Sequence, residues 1–103
     1  MVSRRVKCIT KRDRQDRHER ISHIGGDWGR YGQPIKITEE EAIRDIELGI
    51  FQYHVTVNNY NVKVIISFNN GRKYLKTEND TTTVDNLLSL PECNDTYKLL
   101  GIL

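Results

Sequence analysis

A chain of 103 residues, 37% hydrophobic and 29% charged, has the size and balance of one small soluble domain with a single core. Its longest unbroken apolar runs, such as Val64-Ile65-Ile66, are only a few residues, which excludes a membrane-spanning helix. Net charge is +2, but residues 4–20 hold eight Lys/Arg against three acids, a local net of +5, so any electrostatic footprint belongs to the N-terminal segment.

Taken in order, the opening MVSRRVKCIT is basic and lacks an apolar h-region, so no signal peptide is predicted and the expected location is the cytoplasm. In that reducing compartment Cys8 and Cys93 are expected as free thiols, and the Asn79-Asp80-Thr81 and Asn94-Asp95-Thr96 sequons are expected to carry no glycan. Residues 5–11 (RVKCITK) alternate and are rich in β-branched side chains, which predicts a strand. Residues 12–20 contain no apolar residue and read as an exposed connection. RISHI, residues 20–24, reads as a second short strand, and the two pair as a hairpin whose long loop carries much of the positive charge. Arg12, Arg14, Arg17 and Arg20 there are candidate phosphate or acidic-partner contacts; the interleaved acids weaken the field that phosphate binding needs and fit a solvated loop with internal ion pairs better.

Gly25–Gly32 follows, with four glycines in eight residues. It has neither the GK[ST] ending of a phosphate-binding loop nor the strand–GxGxxG–helix context of a dinucleotide fold. A loop needing positive φ explains it better. Trp28 and Tyr31, with Arg30 between them, form a candidate stacking surface; the competing reading has Trp28 covering the core.

Thr38 with Glu41 three residues on is a capping box, Glu39–Glu41 place acids in a first turn, and Gly49 supplies a stop, so a helix is predicted over Thr38–Leu48. Ile37 and Ala42 are spaced as a hydrophobic staple. Three strand-like runs then form a meander: FQYHVTV, NVKVIISF and RKYLKT, the last two joined through Asn70-Gly71. Phe51, Tyr53, Val55 and Val57 share one face, as do Val62, Val64, Ile66 and Phe68. Leu87, Leu88 and Leu90, stopped by Pro91, read as a short segment sealing an edge of the core. Residues 94–103 read as an extension, docked or frayed. The predicted fold is α+β: one two-layer domain over residues 1–93, with an antiparallel sheet of about five strands, one helix on one face, and the order β-β-α-β-β-β.

Several of these pieces recur together elsewhere. RISHIGG, the helix opening ITEEEAI, KYLKT and NLLSLPEC, in this order over residues 4–93, resemble the bacterial domain-of-unknown-function family 3892. That resemblance implies a fold and no activity. This chain has Ser22 where the family usually has Thr, and Asn79-Asp80-Thr81 where Ala-Asp-Gly is common, so the turn before NLLSLP departs from the family pattern.

Among chemically capable residues, Cys8, His18, His23 and Cys93 have the ligand types of a Cys₂His₂ zinc site without its compact CxxC or HxxxH spacing. Neither cysteine has a motif that would activate it as a nucleophile. The leading expectation is therefore a non-enzymatic binding or accessory module with no cofactor and an unidentified protein partner, monomeric or weakly self-associating. Its expected contact surface is the basic 11–20 loop (Arg12, Arg14, Arg17, His18, Arg20) with the His23–Tyr31 loop (His23, Trp28, Arg30, Tyr31). The alternatives are nucleic-acid binding through the basic segment and a small metal or thiol site from Cys8, His23 and Cys93.

Overall fold

A computed structural model describes residues 2–11, 21–78 and 87–99 of the chain. In them eight strands and one helix follow in the order β1 Val2–Arg5, β2 Cys8–Lys11, β3 Ile21–Gly26, β4 Ile35–Thr38, α1 Glu39–Glu47, β5 Phe51–Val57, β6 Tyr60–Asn69, β7 Arg72–Thr77 and β8 Lys98–Leu99. They form not one five-stranded antiparallel sheet but two four-stranded mixed sheets, β1-β5-β6-β7 and β2-β3-β4-β8. In the first, β1 runs parallel to β5; in the second, β8 runs parallel to β4.

The difference from the expected fold starts at Val6–Lys7. The run read as one strand divides there: the Val6 amide donates to His54 O at 2.8 Å, and the next amide, Lys7, donates to Gly25 O at 2.8 Å. One segment thus serves as edge strand of one sheet and then joins the other. Alternation did not signal the break because Val6, Cys8 and Ile9 are all buried, so both halves point apolar residues at one shared core.

Local chemistry explains the remaining elements. Thr38 caps α1, its hydroxyl accepting from Glu41 N at 3.1 Å while Glu41 reaches back to the Thr38 amide. Ile37 and Ala42, the staple pair, are both buried. At the other end Gly49 has φ 72°, Ile50 N donates to Asp45 O and Gly49 N to Ile46 O, a Schellman ending that requires glycine. The β5–β6 and β6–β7 turns use Asn58-Asn59 and Asn70-Gly71, all four at positive φ, as two-residue primed hairpins demand. α1 packs on β3 and β4 of one sheet and on β5 and β7 of the other.

The core draws Ile9, Ile21, Ile24, Ile35 and Ile37 from the second sheet, Tyr53, Val55, Val64 and Leu75 from the first, Ala42 and Ile43 from the helix, and Leu87 from the C-terminal arm. Phe68, assigned by alternation to the buried face, is 65% exposed, because it lies near the end of the β6–β7 hairpin, beyond the core. Of the C-terminal extension, Lys98–Leu99 docks on β4. The turn before NLLSLP and the last four residues lie outside the described residues. No helix among the described residues is long and apolar enough to cross a membrane.

Candidate functional site

The two cysteines are the first correction to the expected chemistry. Cys8 and Cys93 are not free thiols but a disulfide, with Cα atoms 4.9 Å apart. Backbone pairing brings them together: Ile9 N donates to Pro91 O at 3.0 Å and Cys93 N to Ile9 O at 2.9 Å. Gly25 makes the room. A methyl carbon at Gly25 would lie 2.6 Å from Cys8 Sγ and 2.9 Å from Cys93 Sγ. While so bonded, neither sulfur is a thiolate nucleophile or a metal ligand, and among the described residues no group of three His, Cys, Asp or Glu is placed to hold a metal. His23 lies mid-strand opposite Thr10 and Thr38. Its Nδ1 is 2.8 Å from Ser22 Oγ; since that hydroxyl already donates to Thr10 O, the imidazole is the donor between them.

The glycine-rich loop is also not what its composition implied. Gly25 and Gly26 end β3 without positive φ, which belongs instead to Gly32. Gly26 is required for size: the Trp28 indole lies across it and donates from Nε1 to Arg5 O at 2.9 Å. Trp28 is half-buried against the core. Arg30 and Tyr31 are exposed, Tyr31 at 82%, while the ring contact that Trp28 makes is with Tyr53. Arg12, Arg14, Arg17, His18 and Arg20 lie outside the described residues.

What Trp28 does instead is wall a cleft of about 520 Å³, open to solvent, along the outer edge of β1. Arg4, Arg5, Lys7, Asp27, Trp28 and Phe51 line it, with Val2 and Ser3 at its N-terminal end. Arg4 is its centre. The guanidinium lies over the Phe51 ring at 3.5 Å and 5.4 Å from the Trp28 ring centre, stacking that satisfies its face without using its N–H groups. One N–H donates to Tyr53 Oη at 3.3 Å, and Tyr53 donates to Asp45 Oδ2 at 2.9 Å. The direction is fixed, since arginine only donates and an ionised carboxylate only accepts. Tyr53 is fully buried; burial first, then the Asp45 hydrogen bond, pushes its hydroxyl well above the usual tyrosine range. Trp28 meets the Tyr53 ring edge-on at 5.3 Å, completing the frame around Arg4.

Charge in the cleft is unbalanced. Lys7 is paired with Asp27, but among the described residues neither Arg4 nor Arg5 has an acid partner. The backbone adds donors. Because Val6 N bonds to His54 O and Arg5 sits opposite His54, the alternation of a parallel ladder turns the Ser3 and Arg5 amides to the outer edge, into the cleft. At the rim Ser3 Oγ and His54 Nδ1 are 2.7 Å apart. Burial, then the charge of Arg5, lowers the His54 pKa and favours neutral imidazole.

From sequence alone Arg4, Arg5 and Lys7 are members of a basic run with nothing to single them out, and Phe51 belongs to an apolar strand face. The signal that unites them is the parallel register Val2–Phe51 and Arg4–Tyr53, which no local pattern announces.

A family model described as "protein of unknown function (DUF3892)" matches residues 5–91. No curated protein and no solved structure matches the chain.

Proposed function

The chain belongs to the DUF3892 family of proteins of unknown function, and from the cleft we propose a non-enzymatic binding module whose contact surface is the cationic edge of β1 with Asp27 and Trp28. The observation that carries this reading is the state of Arg4. An arginine is costly in entropy to immobilise, yet this one is fixed by two rings and a buried tyrosine, with the other edges of its guanidinium free of any acid among the described residues. A preplaced arginine beside the one tryptophan of the chain has the composition of a binding hot spot.

Binding is favoured over catalysis by what surrounds the nucleophile–base contact at the rim of the cleft, Ser3 with His54. Ser3 is exposed, and among the described residues nothing beyond Ser3 hydrogen-bonds the His54 imidazole to orient it, as an activated serine needs. The expected partner is an acidic ligand or the acidic surface of a protein. In the cytoplasm, the location expected from the sequence, the cysteines would be held reduced. The C-terminal arm would then stay docked through its Ile9 pairing, the β4–β8 ladder and the packing of Leu87, Leu88 and Leu90.

The test is retention of components of a cell extract on immobilised full-length chain. Wild type is compared with Arg4→Gln and with Tyr60→Ser, a change at a distant exposed residue. A component kept by wild type and Tyr60→Ser, released by salt and lost on Arg4→Gln, supports the proposal. Equal retention by all three would sink it.

A further inference from the structure

Resting on that reading of the cleft, we infer that its ligand presents a phosphate monoester: the dianionic head lies at the edge of β1 against Arg4, and the esterified organic group faces Phe51 and Val2. Charge is the first argument. Lys7 and Asp27 cancel, leaving two guanidinium groups, on Arg4 and Arg5, without a carboxylate among the described residues. A carboxylate would neutralise one of them, whereas a phosphate monoester carries about −1.5 to −2 at pH 7. Asp45 offsets part of this potential but reaches Arg4 only through the Tyr53 hydroxyl.

Donor geometry is the second. Arg4 leaves one face of β1 and Arg5 the other, and between them the strand edge offers the Ser3 and Arg5 amides. Donors spread around an edge suit the three oxygens of a tetrahedral head better than the two coplanar oxygens of a carboxylate. Size is the third. About 520 Å³ falls in the range of small-molecule sites and far exceeds a bare phosphate, and exposed Val2 with half-buried Phe51 gives the organic group an apolar wall.

A nucleic-acid strand is disfavoured by the same residues. Strand binders need free aromatic faces for successive bases and a continuous basic track. Here Arg4 covers one face of Phe51 and lies 5.4 Å from the Trp28 ring centre, and Asp27 lines the cleft beside Lys7.

Trp28, as the sole tryptophan, reports on the cleft directly. The experiment titrates full-length protein with glycerol 3-phosphate, inorganic phosphate, acetate and a short oligonucleotide at fixed ionic strength, following tryptophan fluorescence and the backbone amide shifts of Ser3 and Arg5. Glycerol 3-phosphate is expected to saturate both signals. Arg4→Lys, which keeps the charge and loses the stacked planar group, is expected to weaken binding about tenfold or more. Asp27→Asn, which releases Lys7, is expected to tighten it about two- to fivefold. Circular dichroism of each variant must match wild type; if Arg4→Lys is misfolded, the Asp27→Asn gain and the wild-type amide shifts decide.

A signal that never saturates, that acetate reproduces, or that survives Arg4→Lys overturns the inference, as does tighter binding of the oligonucleotide per phosphate. The outcome also separates the two levels of the proposal. If phosphomonoesters are inert while an extract component is still lost on Arg4→Gln, the ligand class falls and the binding reading stands. If neither depends on Arg4, both fall.

Discussion

Gly26 and Trp28 occupy each other's space: a methyl carbon on Gly26 would overlap the indole nitrogen and lie 2.5 Å from Arg5 O. The second obstacle is backbone, so no rotamer change relieves it. Gly26→Ala is therefore expected to expel the indole, cost about 1–3 kcal/mol, and shift Trp28 emission to the red. Unchanged emission would mean that the indole does not rest on Gly26.

The Cys8–Cys93 bond joins residues 85 positions apart. Disulfides typically contribute about 2–4 kcal/mol. Cys93→Ser is expected to lose roughly that amount and to speed hydrogen exchange at the Ile9 and Cys93 amides, which hold the arm to β2. Reducing the wild type should reproduce the variant, and no added effect of reductant on Cys93→Ser is the internal check.

Two shifted groups set opposite pH limits. His54 has a lowered folded pKa, so the unfolded chain binds more protons just below its ordinary value of about 6.5, and stability falls as pH drops through that window. Arg5 across the β1–β5 ladder and Lys63 across the β5–β6 ladder are the cations nearest it by register. Tyr53 has a raised pKa, so stability falls as pH rises above about 10. Denaturant titrations against pH are expected to show His54→Gln flattening the acid limb and Tyr53→Phe the alkaline limb. Exchange of those assignments would refute the sign argument.

Glu39 is 1% exposed, accepts from the Leu75 amide at 3.3 Å and is ion-paired with Arg72 Nη2 at 3.5 Å. Its carboxylate closes an amide on β7, the last strand of the first sheet, which otherwise invites pairing with another chain. Glu39→Ala is expected to cost about 1–3 kcal/mol, and Glu39→Gln, which keeps the acceptor, substantially less. Equal losses for the two would show that the hydrogen bond is not what matters.

What was legible in the sequence was local. The capping box, the Gly49 ending, the Asn-Gly hairpin and the alternation of β5 all depend on neighbours within a few residues, and each stands where the pattern put it. The parallel pairs β1–β5 and β4–β8 depend on contacts with no local signature, so the division at Val6–Lys7 and the second sheet did not show. The site fared likewise. Trp28 was noticed as an aromatic in a polar loop, but its partner is Arg4 on a distant strand, not neighbouring Arg30. Composition does not distinguish a need for positive φ from a need for no side chain, so it does not show that Gly25 and Gly26 are required for size.

Arg4 meets Tyr53 across 49 positions of chain, and that separation orders events during folding. The β5–β6 and β6–β7 hairpins close over two-residue turns and can form early, whereas β1 must find β5 across nearly half the sequence, a slow step in any chain. A folding intermediate holding only the hairpins would have Phe51 and Tyr53 in place but no arginine over them. The cleft is thus among the last features to appear, and a chain that displays it has already joined both of its sheets.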